Sequence, residues 1–139
     1  MQFAQIRDRV QAGARAAGPA DLSAFPGVWV NSNPDSNAIA RLVVGESGSG
    51  SLTVRVYAIG PGGLIDWGTT EGKVFAVSPS SRVGAGFICK YDFGFAEIRL
   101  EGMLAKGLLV LAQFHTFKDD SGRADYFVRE YFALTHGRY

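Results

Sequence analysis

The chain of 139 residues contains a single cysteine, Cys89, so no disulfide can form within it. This excludes the disulfide-stapled scaffolds that are common among small secreted domains. The charged residues are few and balanced, with 14 Lys and Arg against 13 Asp and Glu. A protein that binds duplex DNA or RNA normally carries a basic stripe, so we expect no nucleic-acid partner. No apolar run approaches the ~20 residues of a membrane-spanning helix, and we expect no membrane partner.

The sequence also lacks the patterns of a metal centre and of a nucleophilic active site. Its only histidines, His115 and His136, do not have the spacing of paired metal ligands, so we expect no metal and no cofactor. Haem binding through His115, which lies among large apolar residues of a predicted strand, is the alternative. No Gly-x-Ser-x-Gly elbow and no phosphate-binding loop occurs. The N-terminus has no continuous apolar stretch of a secretory signal, and we expect a cytoplasmic protein.

Glycine and aromatic residues are abundant, with 18 Gly and 12% Phe, Trp and Tyr. This profile is typical of many short strands joined by tight turns. Only residues 2–17 have the period of an amphipathic helix, which Gly18-Pro19 ends. The apolar face of that helix consists of Phe3, Ile6, Val10, Ala14 and Ala17.

Eight strand-like runs follow, separated by turn sequences rich in Gly, Pro, Asn, Asp and Ser. They cover about 27–32, 38–45, 51–59, 64–77, 83–92, 94–103, 107–117 and 124–134. Consecutive strands with short connections favour a closed up-and-down barrel, because closure removes the exposed edges. We therefore predict one all-β domain over residues 1–139, an eight-stranded antiparallel barrel preceded by the N-terminal helix. A β-sandwich is the alternative.

The alternation of apolar and polar residues predicts which strands are half-buried. The run 51–59 places Leu52, Val54 and Val56 on one face, with Arg55 and Tyr57 on the other. The last two runs are instead apolar on both faces. We expect the N-terminal helix or a second copy of the chain to cover their outer face, and the second case would make the protein a homodimer.

A short motif, Phe25-Pro26-Gly27-Val28-Trp29, opens the first strand. Together with the leading helix and eight strands, its Gly27-x-Trp29 pair resembles the calycin superfamily of lipocalin-like barrels. In that family the Trp packs across the closed end, and a late Arg, here Arg129, packs over it. The resemblance implies a barrel with an apolar pocket. The chain departs from the family in lacking a disulfide pair, and Asn31 and Asn33 replace the later glycines of the haem-binding nitrobindins.

The segment 64–68 places Asp66 beside Trp67, directly after a glycine-rich loop. A carboxylate beside an indole at a barrel mouth suits a general base with a raised pKa, or an acceptor for a ligand hydroxyl. The alternative is that Asp66 caps the loop by accepting hydrogen bonds from backbone N–H groups, while Trp67 packs on the surface.

Tyr126 and Glu130 share one face of the last predicted strand. If this face points inward, the carboxylate needs a partner, for which Arg55 and Arg41 are candidates. The result would be a structural ion pair or a polar anchor at the pocket floor. We expect most of the many aromatic rings to form core. The candidate ligand-binding residues are Tyr57, Asp66, Trp67, Tyr91, Phe114, His115, Tyr126 and Glu130, of which Asp66 and Glu130 are the catalytic candidates.

Three functions are compatible with this pattern. The first hypothesis is a lipocalin-like protein that binds a small apolar or aromatic molecule. The second is a cofactor-free cyclase or isomerase on the same barrel, and the third is a structural homodimeric interaction module whose barrel is filled by its own side chains. The fold does not choose among them, because function depends on the site that the barrel carries.

Overall fold

The computed structural model describes residues 18–135; the predicted helix 2–17 and His136 lie outside these residues. The eight strands are β1 (Gly27–Asn31), β2 (Ile39–Glu46), β3 (Leu52–Gly60), β4 (Gly63–Ala76), β5 (Gly84–Asp92), β6 (Ala96–Ala105), β7 (Leu108–Phe117) and β8 (Tyr126–Thr135). Every boundary agrees with its prediction to within two residues. Within residues 18–135 there is no helix long and apolar enough to cross a membrane.

The strands form one closed antiparallel barrel in which each strand pairs with its neighbours in the sequence. Closure occurs between β1 and β8, where Trp29 lies opposite Leu134 and Val30 lies opposite Ala133. The predicted up-and-down barrel is therefore confirmed. The β-sandwich alternative is wrong, because the pairing of β1 with β8 leaves no open edge at which two sheets would separate.

The tight turns arise where the sequence supplies residues that tolerate a positive φ. Lys106 and Gly107, with φ of 53° and 81°, form the two-residue connection between β6 and β7. Positive φ at both positions is the geometry whose twist matches that of antiparallel strands. The connection sets the register of the two strands, since it places Leu104 opposite Leu109.

One end of the barrel is filled by packed side chains, and we call it the closed end. Phe25 is fully buried there, and its ring meets that of Phe87 edge-on at 5.9 Å. The indole N–H of Trp29 donates to the backbone oxygen of Phe25 at 2.8 Å, which holds the chain across this end. Arg129 does not pack over this tryptophan, because it is exposed on the opposite face of β8 from the buried Phe132.

Two glycines permit close approaches between β5 and β6. A Cβ at Gly102 would lie 2.5 Å from a ring carbon of Phe87, and a Cβ at Gly86 would lie 2.4 Å from the backbone oxygen of Gly102. The absence of a side chain at Gly102 therefore makes room for the Phe87 ring, and its absence at Gly86 lets the two backbones approach.

The inward faces of β7 and β8 follow from burial. On β7, Leu109, Leu111, Gln113 and His115 are all buried, whereas Phe114 is 40% exposed. On β8 the same inward face carries Tyr126, Val128, Glu130, Phe132 and Leu134. The inward polar residues of both strands thus lie toward the other end of the barrel. We call this end, opposite the closed end, the open end.

Candidate functional site

A cavity of about 500 Å³ lies at the open end of the barrel. This volume is within the range of small-molecule binding sites, which are mostly apolar with a few polar groups. The lining residues are Ile65, Asp66, Trp67, Phe93, Phe95, Ala96, Ile98, His115, Phe117, Arg123 and Tyr126. We refer to this space as the mouth cavity.

A bulge in β4 directs Trp67 into the mouth cavity. The pairing of β3 with β4 shifts between Arg55 and Tyr57, so that Trp67 and Gly68 together lie opposite Val56. Gly68 has a φ of 82°, a left-handed conformation that favours glycine at a bulge. The extra residue changes the alternation, so Trp67 on one side of the bulge and Gly72 on the other both belong to the inward face.

Tyr91 holds this bulge in place. Its hydroxyl lies 2.8 Å from the backbone oxygen of Gly68 and 3.0 Å from that of Val54, and donates to this pair of acceptors. Burial raises the pKa of the Tyr91 phenol well above its usual value, so the hydroxyl remains a donor. The Tyr91 ring also contacts Trp67, with centroids 5.5 Å apart. Tyr91 therefore supports the cavity wall and positions the tryptophan.

The aromatic wall continues through the β5–β6 turn. Phe93 lies 5.4 Å from Trp67 and stacks on Phe95 with centroids 6.4 Å apart. Phe95 is 50% exposed at the rim of the mouth cavity. From the sequence, most such rings were expected to form core, and Phe93 and Phe95 were not among the candidate ligand-binding residues. Their place in a Phe-Gly-Phe turn, where polar residues are usual, is the signal that distinguishes them.

Arg123 lies over the opposite side of the mouth and was not among the predicted residues. Its guanidinium is 4.2 Å from the Phe117 ring centroid and 5.5 Å from that of Phe95. It also forms an ion pair with Asp119 at 2.8 Å. These contacts hold the β7–β8 connection against the rim.

His115 and Tyr126 form the inner side of the cavity. Their rings stack nearly parallel, at 8°, with centroids 4.2 Å apart. His115 is only 7% exposed, and its Nε2 has no hydrogen-bond partner among residues 18–135. Burial lowers the pKa of His115, so the imidazole is neutral at pH 7. The sequence analysis selected both residues, and the structure brings them together.

Gln113 lies on the inward face of β7, two positions before His115, and was not predicted. It is fully buried, and its Nε2 donates to Oε1 of Glu130 at 3.4 Å. Its Oε1 has no partner within the described chain. An unpaired buried polar group costs about 1–3 kcal/mol. The sequence signal that could have identified Gln113 is its place as a polar residue within a predicted apolar strand.

Glu130 faces inward, which is one of the two orientations that the sequence left open. The hydrogen-bond partner found for it is not the predicted arginine. The structure gives Glu130 the amide of Gln113. Arg55, a predicted partner, instead binds the carboxylate of Asp66 at the rim of the mouth cavity. Glu130 and Gln113 therefore form a hydrogen-bonded pair inside the barrel, and the guanidinium of Arg55 is not part of it.

Asp66 is held by two residues, Arg55 through both Nε and Nη2 and Gly68 through its backbone N–H. It accepts hydrogen bonds from Nε of Arg55 at 3.2 Å and from the backbone N–H of Gly68 at 2.8 Å. The hydrogen bond from Arg55, followed by that from Gly68, lowers the pKa of the Asp66 carboxyl. The predicted general base with a raised pKa is therefore not found. The alternative agrees with the structure for Asp66, which bonds the loop backbone, but it is wrong for Trp67, which lines the mouth cavity and packs against the core instead of the outer surface.

Two predicted ligand-binding residues lie on the outer surface of the barrel. The ring of Tyr57 lies beside the guanidinium groups of Arg41 and Arg55, at 4.6 and 5.4 Å. Phe114 packs against Phe127 with centroids 5.1 Å apart, and both are exposed. The structure brings neither Tyr57 nor Phe114 to the mouth cavity. That the N-terminal helix or a second copy of the chain covers the outer face of β7 and β8 stays a prediction.

A second cavity, of about 440 Å³, lies on the outer surface of β6 and β7. Its walls carry Glu97, Arg99 and Glu101, and the Arg99 guanidinium pairs with Glu101 at 2.6 Å. Most of its polar groups are thus already paired and exposed to solvent. The mouth cavity, with its aromatic wall and unpaired polar atoms, is the better candidate site.

Metal-binding and thiol chemistry have little support in the described part of the chain. Residues 18–135 contain no group of three or more His, Cys, Asp or Glu side chains placed to hold a metal ion. Burial raises the pKa of the Cys89 thiol to about 12, so the thiol is protonated at neutral pH. Cys89 is buried, as its place in an apolar run predicted.

The closed eight-stranded barrel fits a calycin-like fold. No family model matches the chain, and no curated protein and no solved structure matches it at a significant level.

Proposed function

We propose that this protein is a small-molecule-binding barrel of the calycin type, with the mouth cavity as the site for an apolar or aromatic ligand. The observation that carries the proposal is the contrast between the two ends of the barrel. The closed end is packed around Phe25 and Trp29, whereas the open end holds a cavity of about 500 Å³ walled by aromatic rings.

The wall offers apolar surface that a ligand can cover. Phe93 and Phe95 are 37% and 50% exposed, although both belong to the stacked group that begins at Trp67. Removing ~100 Å² of apolar surface from water contributes about 2.5 kcal/mol. A flat ligand gains further from offset or edge-on contact with the rings. The rings therefore supply affinity, and the polar inner side supplies orientation.

The Gly27-x-Trp29 pair supports the calycin assignment. Trp29 is 2% exposed at the closed end and bonds the backbone of Phe25, which agrees with the role that the resemblance implies. In such a barrel the ligand enters at the opposite end, where the mouth cavity lies.

The proposal is tested with N-phenyl-1-naphthylamine, a neutral dye whose emission rises in apolar surroundings. We expect saturable binding of one dye per chain to the full-length protein. Phe95→Ser, at the rim, should weaken binding at least fivefold. Phe127→Ser is the matched control, because Phe127 is 55% exposed on the outer surface and does not line the mouth cavity.

Either of two results would overturn the proposal. One is an absence of saturable binding to a folded protein. The other is equal affinity of the Phe95→Ser variant and the wild type, which would place the dye elsewhere on the barrel.

A further inference from the structure

Two polar atoms that have no hydrogen-bond partner among residues 18–135 lie on the strand face that leads from the packed core to the mouth cavity. They are Oε1 of Gln113 and Nε2 of His115, on the inward face of β7. Toward the closed end the same face continues with Leu111 and Leu109, both fully buried and apolar. Toward the open end His115 itself lines the cavity, whereas Gln113 lies one inward position deeper, fully buried, and does not line it. Gln113 and His115 therefore lie where the inner end of a molecule bound in the mouth cavity would arrive. We call these two residues the polar pair.

The chemistry of these atoms restricts what can complement them. The Gln113 amide group is oriented by Glu130, which accepts from its Nε2, so the carbonyl Oε1 is left as an acceptor. The neutral imidazole of His115 has one donor and one acceptor nitrogen, so its Nε2 can either accept from a hydroxyl or donate to it. Oε1 of Gln113 sets the stricter requirement: the complementary group must donate a hydrogen bond, which a carboxylate cannot do.

We propose that the ligand is a flat apolar molecule with an uncharged hydroxyl at its inner end, and that this hydroxyl donates to Oε1 of Gln113 beside His115. The proposal rests on the function proposed above and specifies its ligand class. The aromatic wall binds the apolar body of the molecule, and the polar pair, Gln113 and His115, binds its hydroxyl.

Tyr126 lies between the mouth cavity and the polar pair. Neither unpaired atom touches solvent, and the Tyr126 ring lies flat on the His115 ring. Tyr126 is itself 48% exposed, and side chains this exposed change rotamer in picoseconds to nanoseconds. The ligand therefore displaces the Tyr126 ring and stacks in its place as its hydroxyl moves inward.

The test compares three ligands of one shape by titration calorimetry at pH 7. 2-Naphthol has a hydroxyl donor, 2-methoxynaphthalene has an oxygen without a donor, and 2-naphthoate has a negative charge. We expect the wild-type protein to bind 2-naphthol at least tenfold more tightly than either of the others. Gln113→Leu should lower the affinity for 2-naphthol to that for 2-methoxynaphthalene and leave the latter unchanged.

Gln113→Met provides a second apolar replacement if the leucine variant does not fold. Equal affinities of 2-naphthol and 2-methoxynaphthalene for the wild type would overturn the hydroxyl inference and leave the proposed function intact. Selectivity that persists in the Gln113 variants would also overturn it, because the discriminating group would then lie elsewhere. Failure of all three ligands to bind the folded protein would overturn the proposed function together with the inference.

Discussion

The hydroxyl of Tyr91 reaches from β5 to the backbone oxygen of Gly68 in the β4 bulge, at 2.8 Å. The bond joins β4 and β5 beyond the Lys73–Ile88 pair, where their backbone pairing ends, and it holds the residue that follows Trp67. The position of the largest ring in the mouth cavity thus depends on a phenol that is itself almost fully buried.

Replacing Tyr91 by Phe should destabilise the barrel and weaken ligand binding together. The change removes a buried donor and leaves the Gly68 and Val54 oxygens without it, which costs about 1–2 kcal/mol. Urea unfolding measures the loss of stability, and dye titration should show a two- to tenfold loss of affinity. Tyr57→Phe, on the outer surface, is the control and should change neither quantity. An unchanged affinity in Tyr91→Phe would show that the bulge keeps its shape without this bond.

Replacing Gly102 by Ala should destabilise the barrel by about 1–3 kcal/mol, the usual cost of overpacking. The new methyl group would lie 2.5 Å from a carbon of the Phe87 ring, and that ring is buried among other core side chains. Thermal unfolding followed by circular dichroism measures the effect. Gly62→Ala is the matched control, since a Cβ there meets nothing within 4 Å. Similar midpoints for the two variants would contradict the tight contact between β6 and Phe87.

The barrel should lose stability as the pH falls through 6.5, in part because of His115. Burial lowers the folded-state pKa of His115 below its ordinary value of 6.5. Between these two pKa values the unfolded chain binds the proton more readily than the folded one, so falling pH favours unfolding. Above pH 6.5 this contribution is fully present.

The measurement is the free energy of unfolding in urea at pH 7.5 and pH 5.5. His115→Phe should show a smaller difference between the two pH values than the wild type. An identical difference in both proteins would assign the pH dependence to other groups.

Cys89 should react very slowly with thiol reagents while the barrel is folded. Its pKa of about 12, against an ordinary 9.0, reduces the thiolate fraction roughly a thousandfold, and burial also blocks access. Reaction with 5,5′-dithiobis(2-nitrobenzoate) at pH 8 should be complete within minutes in 6 M guanidinium chloride and negligible in buffer over the same time. Rapid labelling of the folded protein would show that β5 opens locally.

Much of the architecture was predictable because its causes are local. Turn residues such as Lys106-Gly107 and the alternation around Val54 depend on neighbours in the sequence, and every strand boundary agreed with its prediction to within two residues. His115 and Tyr126 were both candidates from the sequence, but their pairing depends on which faces of β7 and β8 point inward, and the alternation of these two strands did not decide that.

The site residues that sequence reasoning missed depend on contacts between distant positions. The sequence shows Gln113 as a polar residue in an apolar strand, but its hydrogen bond to Glu130 depends on β8, and the role of Arg123 depends on the contacts of its guanidinium with the rings of Phe117 and Phe95. The exclusion of Tyr57 and Phe114 from the cavity likewise required the closed barrel.

The sequence by itself determined the number, order and limits of the strands, because hydrophobic periodicity and turn chemistry act over a few residues. Only the tertiary structure decided that β1 closes on β8, that the bulge at Gly68 turns Trp67 inward, and that the unpaired atoms of Gln113 and His115 lie below an aromatic mouth. The physical reason is that closure, bulge position and the pairing of buried polar groups are set by packing across the barrel, between side chains far apart along the chain.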